Sequence, residues 1–228
     1  MWNVKELPSL VYLNFLVKVK YWIENLRVAK RFYRNKLFFK IDIALKLYYF
    51  FDSPFKVSKT FLQAIGEEEL YTYGETPLTT LEQIIKEMKI EPDSLFLDLG
   101  SATGRTSFWI HCFTGAKVLG IEHNPRFVNN AKRIKERFHL SDVQFRRDDI
   151  RNADFSAVKG VYLYGTCFEE PFLKILGEKL ENLPPGASIA TVSYPIDNYT
   201  RKPIFEVVKE LTLPFSWGRA SVYIQKRL

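Results

Sequence analysis

Hydrophobic and polar positions follow two regimes along the chain. From residue 9 to residue 50, apolar and basic residues recur at three-to-four spacing without Gly or Pro. That spacing predicts helix, with a break near Arg34-Asn35. DSPF (52–55) reads as a turn with Asp52 or Ser53 as cap, and Pro54 opens a short further helix. IGEEELYTYGETP (65–77) is a polar connector. From Thr79 the pattern becomes regular. LTTLEQIIKEMKI sets Leu81, Ile84, Ile85 and Met88 on one helix face. LFLDL (95–99), KVLGIE (117–122), VQFRR (143–147), GVYLYG (160–165) and ASIATVSY (187–194) read as strands. Helices are expected over 105–113, 125–138 and 169–181. Two strands around IFEVVKELTL and SVYIQKRL close the chain. Strand alternating with helix, then a closing strand pair, predicts an α/β fold: a mostly parallel seven-stranded sheet with an antiparallel last pair, preceded by an α-helical segment.

Charge divides the chain at the same place. Residues 1–60 hold 12 Lys/Arg against 4 Asp/Glu, and 14 of the 35 aromatic residues. The rest is close to neutral although the whole chain carries +7. Two differently composed parts are joined. LPSLVYLNFLV (7–17) contains Pro8 and falls short of the roughly 20 residues a membrane span needs. Lys5 beside Glu6, with bulky charged residues following, does not read as a signal peptide. Two cysteines, Cys112 and Cys167, suit a reducing cytoplasm, and His111, His123 and His139 show no metal-ligand spacing.

The chemistry concentrates in LFLDLGSATGR (95–105). A glycine turn at the end of a buried strand brings backbone close to a ligand. A dinucleotide turn would need glycine at Ala102 and at Arg105, and a Walker loop would need Gly-Lys where Gly104-Arg105 stands. NAD, FAD and nucleoside triphosphates are therefore disfavoured. The pattern that fits is Asp98-x-Gly100-x-Ala102-x-Gly104. An acid at the strand end repels pyrophosphate but pairs with an ammonium group. Glu122 ends the next strand, where a carboxylate accepts ribose hydroxyls. Asp149 and Ile150 end the third, suited to an exocyclic amine and an adenine face. An amino-acid end, a ribose and an adenine add up to S-adenosylmethionine. The bland alternatives are an ordinary tight turn and helix-capping acids.

At these residues the sequence resembles the class I, seven-strand methyltransferases. TYGETPLTTLEQI (72–84), followed by Asp-Leu-Gly-Ser, carries a sharper likeness. It is similar to the histone-lysine methyltransferases of the "disruptor of telomeric silencing" type and to their relatives that methylate a lysine of the ATP synthase c subunit. The likeness covers about residues 70–195, including Glu122-His123-Asn124-Pro125, GVYLYGTCF and IATVSYP. It implies a Rossmann-like methyltransferase domain over 66–228 behind a basic aromatic segment over 1–65. It implies that Tyr73, Glu75 and Thr76 lie on a loop over the cofactor's methionine end. Asp98, Gly100, Ser101, Ala102, Gly104 and Arg105 would line the first turn. Glu122 would take the ribose, Asp149 and Ile150 the adenine. Gly165 and Thr166 would sit beside the departing methyl group, with Tyr73 and Thr166 in the catalytic positions. Ala102 replaces the family's usual glycine, and Gly165-Thr166 replaces the histone enzymes' paired asparagines. The acceptor implied is a protein lysine.

A lysine acceptor must be neutral to react, which an apolar aromatic channel favours. Tyr73, Phe168, Tyr194 and Pro195 are candidates for its lining, and Tyr164 and Phe168 read equally well as core. Glu75 reads alternatively as a cap for the helix starting near Thr79. YGTCF follows the fourth strand in place of the Asn/Asp-Pro-Pro-Tyr/Phe pattern, which argues against a DNA adenine or glutamine acceptor. Residues 9–50 read as a helical cap on the domain, a peripheral membrane contact, or a surface for an acidic partner or nucleic acid. A cofactor-binding interaction protein without catalysis and a nucleic-acid methyltransferase stay open as alternatives. The oligomeric state is not legible.

Overall fold

The computed structural model describes residues 7–70 and 73–228, with side chains from Val17 onward. The readings of Lys5 and Glu6, and Tyr71 and Thr72 of the connector, lie outside the described residues. Three helices come first: α1 (Leu7–Phe32), α2 (Lys36–Tyr48) and α3 (Pro54–Ala64). The break falls as the pattern predicts. Asn35 caps α2, its side chain accepting the Leu37 and Phe38 N–H groups, and its amide donates to the Cys112 carbonyl at 3.0 Å. Ser53 caps α3 and Pro54 occupies its first turn.

The remaining elements are α4 (Leu78–Met88), β1 (Leu95–Leu99), α5 (Arg105–Thr114), β2 (Lys117–Glu122), α6 (Pro125–Arg137), β3 (Val143–Arg147), β4 (Gly160–Leu163), α7 (Glu170–Leu180), β5 (Ser188–Val192), β6 (Phe205–Pro214) and β7 (Arg219–Arg227). The seven strands run in the order β3-β2-β1-β4-β5-β7-β6. β1 to β5 pair in parallel, and β7 is antiparallel to both β5 and β6. Chain order reverses between β1 and β4, the switch point where open α/β sheets bind ligands. Two elements end sooner than the apolar pattern predicts. β4 stops at Leu163 and β5 at Val192, so Tyr164, Gly165, Ser193 and Tyr194 fall in the loops beyond.

Period-two alternation sorts the core. Leu97 and Leu99 of β1 face the layer of α7, with Leu176 and Leu180. Phe96 packs on the other face with Leu81, Ile84 and Trp109. Asp98 shares that second face. The N-terminal helices cover it further: Ile41, Leu45 and Val57 pack with Phe108, Phe127 and Phe145 over α5 and α6. Phe32 of α1 meets Trp109 edge to face at 5.4 Å.

Candidate functional site

The turn after β1 is built on left-handed backbone. Gly100, Ala102 and Gly104 have φ of 82°, 46° and 80°. At Gly104 a Cβ would also stand 2.8 Å from the Phe145 ring, so this position admits only glycine. The Gly100 and Ser101 N–H groups donate to the Ile121 carbonyl at 2.9 and 3.0 Å, which lays the turn across the end of β2. Glu122 completes the attachment. One of its carboxylate oxygens accepts the Ala102 N–H at 2.9 Å, and the other accepts the Asn124 N–H at 2.7 Å. Glu122, on the neighbouring strand end, thus holds the turn in place. Ala102 reads differently in three dimensions. Its residue type matters for a strained φ as much as for the space above it.

Burial dominates the electrostatics of both acids. Asp98 is 2% exposed and accepts the Ser107 hydroxyl at 2.5 Å. Burial pushes its carboxyl up to about 7; the Ser107 bond opposes this, and the Glu122 charge adds to it. Glu122 is raised as well, by burial, against the pull of the backbone N–H groups it accepts. Ser101 Oγ and Asn124 Nδ2 are buried beside these acids without a hydrogen-bond partner among the described residues.

A loop from before α4 folds over this turn. Gly74, Glu75 and Thr76 line one cleft together with Asp98, Gly100, Ser101, Ala102, Arg105, Tyr162 and Tyr164. The fit is close: a Cβ on Gly74 would lie 2.9 Å from the Tyr164 ring and hydroxyl. Thr76 Oγ1 and the Tyr162 hydroxyl are 2.5 Å apart, and the Tyr73 hydroxyl donates to Glu75 at 2.5 Å. The cleft holds about 30 Å³, room for a water or two. The cleft lies at the Asp98 end of the turn, and Glu122, Asp149 and Ile150 do not line it.

Other expected positions are distributed more widely. Tyr73 does not wall the cleft. Its ring packs against Phe55 and Phe127, at 4.9 and 5.6 Å, because those apolar faces of α3 and α6 need cover. Glu75 does not cap α4. Pro77 takes the cap position without a side-chain bond, and Glu24 of α1 does the capping by accepting the Thr79 N–H and hydroxyl at 3.1 and 2.8 Å. Asp149 lies beyond β3 and heads a short 3-10 turn over Ile150–Asn152, where it holds the Arg151 guanidinium. Ile150 is buried beside it. Gly165 is buried between the Phe168 ring and Tyr194, whose hydroxyl donates to the Gly165 carbonyl at 2.9 Å. Thr166 is exposed next to it.

Arg105 has a partner that the motif does not predict. Its guanidinium donates twice to Asp42 of α2, at 2.6 and 3.2 Å, and Asp42 is completely buried. The Tyr33 hydroxyl donates to Asp42 at 2.7 Å, and Lys46 lies 3.1 Å away. Burial raises the Asp42 carboxyl, but Arg105, Lys46 and Tyr33 together hold it below its ordinary value. The sequence held one signal for this residue. Asp42 is a lone acid among basic residues, flanked by Ile41 and Ile43, on the stripe that α2 buries.

A second chamber of about 380 Å³ adjoins the cleft at Glu75, Thr76 and Arg105 and runs between α1 and the β6–β7 turn. That turn carries Phe215 and Trp217, which stack in series on Tyr164, and the Trp217 indole N–H donates to the Tyr164 hydroxyl at 2.6 Å. Sequence reasoning missed both residues, because their link to β4 spans the whole second half of the sheet.

The family model described as "Histone methylation protein DOT1" matches residues 62–159. That stretch holds the loop at 73–76 and the ends of β1 to β3. The sterol 24-C-methyltransferase of Kluyveromyces lactis is 28% identical over 109 residues, which are 46% of this chain and 29% of that enzyme. The matched stretch is thus under a third of the relative's length. Among solved structures, an RNA methyltransferase from Salinibacter ruber in complex with S-adenosyl-L-homocysteine superposes with a TM-score of 0.53 at 23% identity, covering 67% of this chain and 93% of that one. The geranyl diphosphate C-methyltransferase from Streptomyces coelicolor A3(2), solved with Mg²⁺, geranyl-S-thiolodiphosphate and S-adenosyl-L-homocysteine, gives a TM-score of 0.56 at 14% identity, covering 67% of this chain and 76% of that one. With the strand order and the reversed β7, these likenesses make the fold that of the class I S-adenosylmethionine-dependent methyltransferases.

Proposed function

We propose that the chain binds S-adenosylmethionine at the carboxyl ends of β1 and β2 and transfers its methyl group to the side-chain amine of a protein lysine. The observation that carries the reading is the pair of carboxylates on adjacent strand ends, Asp98 buried and Glu122 half-buried, with the glycine turn held by Glu122 and the Gly74–Thr76 segment lining one cleft with Asp98. The residues suit the cofactor. Asp98 offers a carboxylate to an ammonium group, and Glu122 has lone pairs left for ribose hydroxyls. Ser101 Oγ and Asn124 Nδ2 are buried polar groups that a ligand would satisfy. Asp149, oriented by Arg151, can accept an adenine amine over the apolar Ile150. S-adenosylmethionine supplies an electrophilic methyl group on a sulfonium.

The protein's share is then alignment and exclusion of water. The 73–76 loop opens to admit the cofactor and closes over its methionine end. Gly165, pressed between Phe168 and Tyr194, leaves backbone rather than side chain nearest the transferred group. Aromatic walls from Tyr164, Phe168 and Tyr194 favour the neutral amine. A second reading has one specific support: the match to sterol 24-C-methyltransferases favours a small apolar acceptor. One experiment separates them. The protein is incubated with methyl-labelled S-adenosylmethionine and cell lysate, then protein is precipitated and lipid extracted. Label in precipitated protein, released as methyl-lysine on hydrolysis, supports the first reading. Label confined to the organic extract supports the second and overturns the first.

A further inference from the structure

The solvent faces of α1 and α2 combine exposed apolar side chains with cations and present no acid. Between residues 17 and 51 the chain holds two carboxylates, Glu24 and Asp42. Both turn inward, Glu24 onto Thr79 and Asp42 onto Arg105. Nine cations lie in the same stretch. Arg31 pairs with Glu82 and Lys46 with Asp42. The others, Lys30, Arg34, Lys36 and Lys40 among them, have no acid partner among the described residues.

Large apolar residues interleave with these cations at helical spacing. Trp22 and Leu26 share a stripe with Lys30 on α1, and Ile43 and Leu47 share one with Lys36 and Lys40 on α2. Trp22 and Leu47 are 64% and 65% exposed. Just beyond α2, Phe50 and Phe51 meet edge to face at 5.1 Å and are 74% and 91% exposed. Exposed apolar side chains gathered at the end of α2, with the Trp22 and Leu26 stripe of α1 beside the same excess of cations in the chain, mark a docking surface.

We infer that this face docks on an anionic bilayer surface. Phe50, Phe51, Leu47, Trp22 and Leu26 would enter the headgroup boundary, and the lysines and arginines would meet lipid phosphates and carboxylates. Charge complementarity calls for an anionic partner, and the aliphatic side chains select the kind. A nucleic acid offers phosphates to cations and bases to aromatic rings, but nothing that buries Leu26, Ile43 and Leu47. A bilayer takes all three classes of side chain at once. The contact is interfacial, since no helix among the described residues is long and apolar enough to cross a membrane. Asp42 of α2 holds Arg105 at the cleft, so the docked face lies one helix away from the proposed cofactor site.

The test is flotation of the full chain with vesicles of phosphatidylcholine, alone or mixed with phosphatidylserine, and with a short RNA duplex as competitor. The inference predicts binding to the mixed vesicles, weaker binding to phosphatidylcholine alone, and release by salt. A Phe50→Ser, Phe51→Ser variant and a Lys36→Glu, Lys40→Glu variant should each bind the mixed vesicles about tenfold more weakly or worse, since each exposed cation or buried methylene adds a measurable share. Both pairs are exposed, so melting temperatures should not change. Absence of binding to the mixed vesicles overturns the inference. So does binding that neither variant weakens, or RNA that binds more tightly and strips the protein from the vesicles.

Discussion

Ala102 and Asp98 hold the two residue-scale consequences of the turn. Ala102 has φ of 46°, a left-handed conformation that costs an L-residue about 1–2 kcal/mol. Glycine would relieve that strain but would gain freedom in the unfolded chain, so the two effects nearly cancel. Ala102→Gly should therefore change stability by less than about 1 kcal/mol in urea unfolding, and cofactor affinity should hold or improve. A large loss of affinity would mean that the Ala102 methyl makes a needed contact. Asp98 governs pH dependence. Its folded carboxyl sits at about 7 against an ordinary 3.8. In that window the folded state holds a proton the unfolded state has lost. Stability should fall as pH rises from about 4 to about 7, and this group adds nothing further above that. An ammonium ligand pairs only with the ionised form. Affinity for S-adenosylhomocysteine should thus rise from about pH 6 to about pH 8, with proton release at the lower end, and Asp98→Asn should flatten the profile. A profile unchanged in that variant would contradict the assignment.

At the scale of elements, α2 and the first turn of α5 are locked by the Asp42–Arg105 pair. Truncating one partner of a buried pair leaves the other charge uncompensated, at about 3 kcal/mol or more. Asp42→Ala should lower unfolding stability by that order. The double variant with Arg105→Ala should cost less than the sum of the single changes. The 73–76 loop is the second element with a measurable behaviour. Protease cleavage within 66–76 should slow when S-adenosylhomocysteine is added, and Glu75→Ala should cut methyl transfer more than thermal stability. Cleavage indifferent to the ligand would reduce the loop to a connector. The strands, the glycine turn, the break near Arg34-Asn35 and a cap at Asp52 or Ser53 were legible in the sequence, because periodicity and capping are local; that Asn35 caps α2 was not read. The Glu24 cap on α4 and the Asp42 clamp were not. Their partners lie 55 and 63 residues away, and local pattern carries no information at that range. Tyr73 was legible as part of the loop, yet its ring direction was settled by apolar faces of α3 and α6, which packing alone decides.

For the whole molecule, the unequal charge of the two parts becomes spatial. The helices that hold the excess positive charge pack on α4, α5 and α6, and Glu24 and Asp42 turn inward while Lys30, Arg34, Lys36 and Lys40 face outward without an acid partner among the described residues. Parallel pairing sets the ends of β1 and β2 side by side next to the switch point between β1 and β4, and Glu122 ties the turn after β1 to the end of β2. Ligand binding at that carboxylate is therefore the central requirement. Calorimetry with S-adenosylhomocysteine, NAD and ATP on the wild type and on Glu122→Ala tests it, with a melting curve to show that the variant is folded. The prediction is heat from S-adenosylhomocysteine alone and a loss of about a hundredfold or more in affinity in the variant, since two charge-assisted hydrogen bonds at about 1.5–3 kcal/mol each disappear. Binding of NAD or ATP without S-adenosylhomocysteine, or a folded variant that binds as tightly as the wild type, would contradict it.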